Sequence, residues 1–176
     1  MRRRDRPLPL TQATCVLIGA GAVLIRGEPG MGKSSLAAAL SARGDARRPV
    51  RLVSDDAVRL LVAGGRLVAQ APEPIRGRME MRGIGLVPTA FEPRAVVRLA
   101  VDLVRPEEVE RLPSENDRWT EIGGLRLPRI ALPGNDAASA ERVLSALAGA
   151  DVRPTRDGSA DVSETGPPKP GRRFRA

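Results

Sequence analysis

At 176 residues the chain has room for one domain of ordinary size with a real hydrophobic core, and no room for a second. Its 29 Lys and Arg against 21 Asp and Glu give +8, yet +3 of that sits in residues 1–6 and +2 in residues 151–176; a body at +3, in a chain whose only aromatics are Phe91, Trp119 and Phe174, argues against a nucleic-acid protein. With no histidine and the single cysteine Cys15, Ser-His-Asp and Cys-His catalysis, histidine-built zinc sites and internal disulfides are excluded, so proton transfer falls to carboxylates.

Residues 1–9 read as a basic N-terminal extension that runs into polar Thr11 and Gln12 rather than into an apolar signal core. No apolar run approaches the roughly 18 residues that span a bilayer, so a cytoplasmic protein with no membrane partner is expected. Two β-type runs follow, 15–18 and 22–25, joined by the turn Gly19-Ala20-Gly21. Cys15 lies in the first run and reads as a small core residue of a reducing compartment. A glycine-punctuated loop leads to an Ala- and Leu-rich helix over about 33–43, stopped by Gly44. The strand 50–53 then delivers Ser54, Asp55 and Asp56 at its C-terminal end.

Further on, 58–62 and 66–68 form a hairpin across Ala63-Gly64-Gly65. The Pro-containing loop 71–77 precedes the segment 79–86, and the β-branched stretch 96–104 fits a buried strand. The run 125–132 reads as a strand that Pro128 confines to an edge. A second helix covers 137–147, with Asn135 or Asp136 as N-cap. From 151 onward prolines, glycines and charges outnumber anchoring apolar residues, which predicts a disordered tail over 151–176 and a catalytic domain over 10–150.

The chemistry concentrates in Gly27-Glu28-Pro29-Gly30-Met31-Gly32-Lys33-Ser34, followed by Ser35, which satisfies G-x-x-x-x-G-K-[ST] between a strand and a helix. Glycines at these positions let backbone N–H groups turn inward around phosphates, and the helix N-terminus adds partial positive charge. Lys33 is placed to bridge the β- and γ-phosphates and the Ser34 hydroxyl to ligate Mg²⁺. Lys33 is also the only lysine before Lys169 in a chain that otherwise uses arginine. Asp55 and Asp56 supply a carboxylate to complete Mg²⁺ coordination and a base to take a proton from an acceptor hydroxyl, and the residues alone do not say which does which.

Three segments in order, GEPGMGKSS, LVSDDAV and MEMRGIGLV, resemble the catalytic domain of the bacterial HPr kinase/phosphorylase family in the short form found in alphaproteobacteria, over roughly 10–147. The resemblance implies an α/β, P-loop-containing fold of the HPr kinase/phosphoenolpyruvate carboxykinase type, a mixed β-sheet with hairpins and few helices. It further implies an ATP- and Mg²⁺-dependent kinase acting on a serine of an HPr-type phosphocarrier, with a role in regulating carbohydrate metabolism. Carried over by position, Lys33 holds phosphates, Ser34 and Glu80 hold Mg²⁺, and Asp56 is base in phosphorylation and acid in the reverse direction. Arg111, in Glu110-Arg111-Leu112-Pro113, resembles the family's catalytic arginine, and Leu132-Pro133-Gly134-Asn135 resembles its mobile loop faintly. The loop at 129–135 and the helix at 136–147 are the candidate docking surface for the carrier, and the family's hexamers imply a homo-oligomer. The family histidine, fifteen residues before the first loop glycine, is replaced by Gln12, so weakened phosphorolysis with retained kinase activity is expected. Two other readings fit a phosphate loop: a small-molecule P-loop kinase, and a non-catalytic ATP-binding sensor.

Overall fold

The computed structural model describes residues 6–81 and 83–150. The predicted 151–176 tail lies outside the described residues. Of the stretch read as a basic extension, Arg6–Pro7 forms a strand (β1) and the Leu8 N–H donates to the Leu60 carbonyl at 2.9 Å, so residues 6–8 belong to the sheet.

The core of the fold is a strand–loop–helix–strand unit. β3 (Thr14–Ile18) and β4 (Gly21–Arg26) form the expected hairpin, paired from Thr14↔Ile25 to Ile18↔Gly21. The chain leaves β4 through the glycine loop, makes α1 (Lys33–Ser41), and returns as β5 (Val50–Ser54), which pairs antiparallel with the far side of β3. Because β3 is antiparallel to both neighbours, β4 and β5 run in the same direction. The loop after β4 and the Asp55-Asp56 pair after β5 therefore emerge at one end of the sheet, with the start of β3 between them.

The rest of the sheet widens this unit. β2 (Thr11–Gln12) and β1 pair with β6 (Ala57–Ala63), which makes a hairpin with β7 (Arg66–Gln70). The eleven-residue β10 (Arg94–Val104) is the hub: it pairs antiparallel with β7 through Arg94–Val96 and parallel with β4 through Val97–Asp102. Alternation then sorts side chains to two buried faces, as expected of a sheet covered on both sides. Val16, Ile18, Val23 and Ile25 pack with Leu36 and Leu40 of α1 and with Val143 and Leu144 of α2 (Ser139–Gly149). Cys15, Ala22 and Leu24 pack on the other face with Val58, Leu60 and Leu67.

Three expectations change. The run 79–86 is a separate two-stranded hairpin, β8 (Arg78–Met81) and β9 (Gly85–Pro88), because Gly83 and Gly85 at φ 81° and 100° turn the chain. Residues 119–122, unassigned in the sequence, form β11 (Trp119–Ile122) across Gly123-Gly124 from β12 (Leu125–Pro133). β12 pairs with β11 up to Pro128 and with β10 from Arg129 onward, one partner at a time, so Pro128 stands where one side of the strand is open, as at an edge, and at the handover between partners. Finally, α2 starts at Ser139 rather than 137, and neither Asn135 nor Asp136 is its N-cap. Asn135 has a left-handed φ of 56°, and Asp136 caps a turn earlier by accepting the Ala138 N–H at 3.1 Å.

A candidate phosphate-binding and phosphotransfer site

The loop between β4 and α1 is a run of glycine turns that opens onto the helix start. Gly27, Gly30 and Gly32 have φ of 149°, 84° and 89°, conformations that side chains rarely adopt. Gly32 is held twice over: a Cβ there would lie 2.3 Å from Asn135 Oδ1. That glycine is also the N-cap of α1, it offers no side-chain cap, and no acid occupies the first turn. The orphan N–H groups of the helix start are thus left for an anion, with the macrodipole behind them. Lys33 is buried and its ammonium donates to the carbonyls of Gly27 at 2.9 Å and Glu28 at 3.1 Å. Glu28, Pro29 and Gly30 are exposed, as is Ser35 in the first helical turn, whereas Met31 is half-buried.

The two aspartates are brought to this loop and separated in role. Asp55 is 4% exposed, and its Oδ1 accepts from the Ser34 hydroxyl at 2.9 Å and the Thr14 hydroxyl at 2.8 Å. Its Oδ2 accepts the Glu80 N–H at 3.1 Å. A carboxylate fixed by three donors and bonded to the loop serine matches the group that orients a metal-ligating hydroxyl. Asp56, one residue on, sits exposed at φ 63°, in a left-handed region that aspartate tolerates better than most residues. Ser54 closes this corner, its Oγ donating to the Ala57 carbonyl at 2.5 Å, while the Ala57 N–H donates to the Asp55 carbonyl at 2.7 Å.

Partial burial pushes the Asp56 carboxyl above the usual carboxylate range, and the neighbouring negative charges of Asp55 and Glu80 push the same way. Lys33 opposes them. Glu80 arrives from β8, whose neighbour Met79 is buried in the core and anchors the hairpin beside the aspartates. Gln12 is aligned with Ala57 in the β2–β6 ladder, and the Ala13 N–H donates to the Asp56 carbonyl at 3.2 Å, so the residue at the family histidine position lies next to Asp56 in the fold.

Thr14 is the site residue that sequence reasoning passed over; a strand-opening threonine carries no signal until the register sets it against Asp55. The segment 133–135, whose sequence match was faint, packs on the loop: the Asn135 amide donates to the Gly30 carbonyl at 3.4 Å, and a Cβ on Gly134 would meet the Met31 carbonyl at 2.8 Å. Arg111 is different, since it lies in the irregular stretch between the short 3₁₀ turn Pro106–Glu108 and the next at Asn116–Arg118. It is exposed and among the described residues has no ion pair.

On the β10 side of the loop is a cleft of about 330 Å³, lined by Gly27, Glu28, Met31, Arg105, Glu108 and Arg129 among others. Its wall is tied together by Asp102, which receives Arg26 at 2.7 Å and Arg129 at 2.6 Å. Burial alone would raise the Asp102 carboxyl, but these two guanidinium groups hold it below its ordinary value. The cleft and the aspartate pair thus flank the phosphate loop on opposite sides. No three-residue cluster of Asp, Glu or Cys that could by itself cage a metal occurs among the described residues. The donor set nonetheless suits Mg²⁺, which keeps waters and phosphate oxygens and takes few protein oxygens.

A glycine-rich loop, a buried lysine, a serine joined to a buried aspartate and a second carboxylate alongside are thus gathered at one end of the sheet. The family model described as HPr Serine kinase C-terminal domain matches residues 10–164. The chain belongs to that family. It is 36% identical over 151 residues to the HPr kinase/phosphorylase of Leptothrix cholodnii, covering 79% of this chain and 43% of that protein. The Bordetella pertussis protein of the same name is 37% identical over 150 residues, 79% of this chain and 45% of that protein. The chain therefore spans less than half the length of these relatives. Among solved structures, the Hpr(Ser) kinase/phosphatase from Coxiella burnetii superposes with a TM-score of 0.69 at 27% identity, covering 81% of this chain and 95% of that one. The mixed α/β architecture expected from the sequence, a large sheet with hairpins and two helices, is the fold observed. No helix of the described residues is long and apolar enough to cross a membrane.

Proposed function

We propose that the chain is an ATP- and Mg²⁺-dependent kinase that phosphorylates a serine hydroxyl of an HPr-type phosphocarrier protein. The observation that carries this reading is the division of labour at the end of β5: Asp55 is buried and bonded to Ser34, while Asp56 is exposed beside it with its carboxyl shifted upward. In this reading Lys33 exchanges its two loop carbonyls for phosphate oxygens, and the N–H groups of the cradle and helix start hold the phosphate chain. Ser34 and Glu80 would hold the Mg²⁺, with Asp55 orienting the Ser34 hydroxyl. Bound there, Mg²⁺ would supply charge neutralisation of the phosphates. The nucleoside end would occupy the cleft lined by Met31, Arg105 and Arg129.

Asp56 takes the proton from the acceptor serine as its oxygen attacks. A carboxylate whose proton affinity is raised by partial burial and by neighbouring negative charge is a better base near neutral pH than an ordinary aspartate. Arg111 is assigned to charge on the moving phosphoryl group by resemblance alone, and the exposed 109–115 stretch must close to bring it in. Exposed Met81, Ile84 and Leu86 on the β8–β9 hairpin, next to Glu80, give the acceptor or a further copy of the chain an apolar surface to cover. We carry forward a cytoplasmic homo-oligomer as part of this proposal.

The test is transfer of γ-labelled phosphate from ATP to HPr of the same organism with Mg²⁺. Label on a serine of HPr, lost with Lys33→Ala, is the expected result. Tight ATP binding with no transfer to HPr would overturn the kinase reading in favour of a nucleotide sensor.

A further inference from the structure

β4 ends at the phosphate loop and begins about 17 Å away at Gly21, taking a strand rise of about 3.3 Å per residue. At that distal end is a second cavity, of about 470 Å³, between the Gly19-Ala20-Gly21 turn and the last turns of α2. Its apolar lining includes Ile18, Leu144 and Leu147, and its basic lining is Arg48 and Arg98. Both arginine stems pack on the glycine turn: a Cβ on Gly21 would lie 2.9 Å from Arg98 Cγ, and one on Gly19 would lie 3.7 Å from Arg48 Cγ. Among the described residues neither guanidinium has an ion pair. Asp45, three residues before Arg48, accepts the backbone N–H groups of Arg47 and Arg48 at 2.8 and 2.7 Å.

Two guanidinium groups that form no ion pair among the described residues, with Asp45 the acidic neighbour of Arg48, over an apolar floor, select a ligand with two different ends. We infer that this groove is a second ligand site for a small amphipathic anion, of the chemical class of a medium-chain carboxylate. The head binds between Arg48 and Arg98, where planar guanidinium groups give paired, charge-assisted hydrogen bonds. The hydrocarbon body covers Ile18, Leu144 and Leu147. The volume decides for a small molecule over a macromolecule, since it falls within the roughly 300–1,000 Å³ usual for small-ligand pockets. None of these residues touches the phosphate-loop site, so this ligand does not compete there.

Octanoate is the probe, titrated into the full chain and followed by backbone amide shifts at Gly19, Ala20, Gly21 and Leu147. Octan-1-ol and inorganic phosphate serve as the apolar-only and charge-only controls. Saturable shifts at the turn are expected, with a Kd on the order of 1 mM or tighter and both controls at least about tenfold weaker. Arg48→Gln/Arg98→Gln should weaken octanoate about tenfold and leave ATP affinity unchanged, which shows that the fold persists. Arg48→Gln alone, at an exposed loop position, should give a smaller loss and serves if the double variant does not fold. Octan-1-ol binding as well as octanoate, unchanged affinity in the variants, or no saturable shift up to about 10 mM each overturns the site.

Discussion

Asp56 is the residue on which the chemistry and the electrostatics of this protein meet. Its carboxyl is shifted upward, so the folded state holds that proton more tightly than the unfolded chain does. Stability therefore falls as pH rises from the unfolded value, about 3.9, through the raised folded value, and the cost persists above it. Asp56→Asn removes that repulsion and keeps a side chain at ease in the left-handed region. Its Tm should exceed the wild type's at pH 7, with the gain fading below about pH 4; a lower Tm at pH 7 would count against the repulsion. Gln12 belongs to the same corner through the β2–β6 ladder, and it can neither carry a proton nor a charge. Gln12→His should raise phosphorolysis of phospho-HPr by about tenfold or more while changing the kinase rate far less, read from the two initial rates.

The elements differ in how legible they were. The β3–β4 hairpin, the phosphate loop and α1 could be read because local chemistry specifies them: alternating apolar residues, glycines at fixed offsets, an Ala-Leu helix. The β8–β9 hairpin was hidden within the segment 79–86 because its turn depends on two glycines that also fit a signature motif. β11 was missed although Gly123-Gly124 between Ile122 and Leu125 is a two-residue hairpin signal, which the irregular, charged stretch before it obscured. Pro128 was legible as a residue with one side unpaired, but not that β12 changes partners there, which depends on the distant strands β10 and β11. Asp102 then locks β4, β10 and β12 together through Arg26 and Arg129. Asp102→Asn leaves two guanidinium groups without their charge partner, and a loss of about 2 kcal/mol in denaturant unfolding is expected. Because this carboxyl is held below its ordinary value, its contribution is full above about pH 4 and disappears as pH falls through the folded pKa. The two proteins should converge in acid; a difference that persists there would assign the loss to packing instead.

At the scale of the whole molecule, a sheet buried on both faces carries the candidate site at one end, the end to which the parallel strands β4 and β5 both point. That placement is topological and was only half visible in the sequence: the strand–loop–helix–strand order was plain, but not that β3 would come between β4 and β5 and supply Thr14 to Asp55. Cys15 sits in the middle of this sheet, fully buried, and burial pushes its thiol well up. Its reaction with a disulfide reagent should follow opening of the sheet, and ATP should slow it in proportion to ligand occupancy. A rate independent of ATP would mean that the thiol is reached through local motion.

The most direct measurement of the central claim is single-turnover transfer from ATP to HPr by wild type and Asp56→Asn, with ATP affinity measured alongside. The account predicts transfer slowed by about 10²–10⁴-fold and ATP affinity within about threefold of wild type, since in the proposed reaction Asp56 moves a proton while Lys33 and the glycine loop hold the nucleotide. Transfer at the wild-type rate would contradict the assignment of Asp56 as the base.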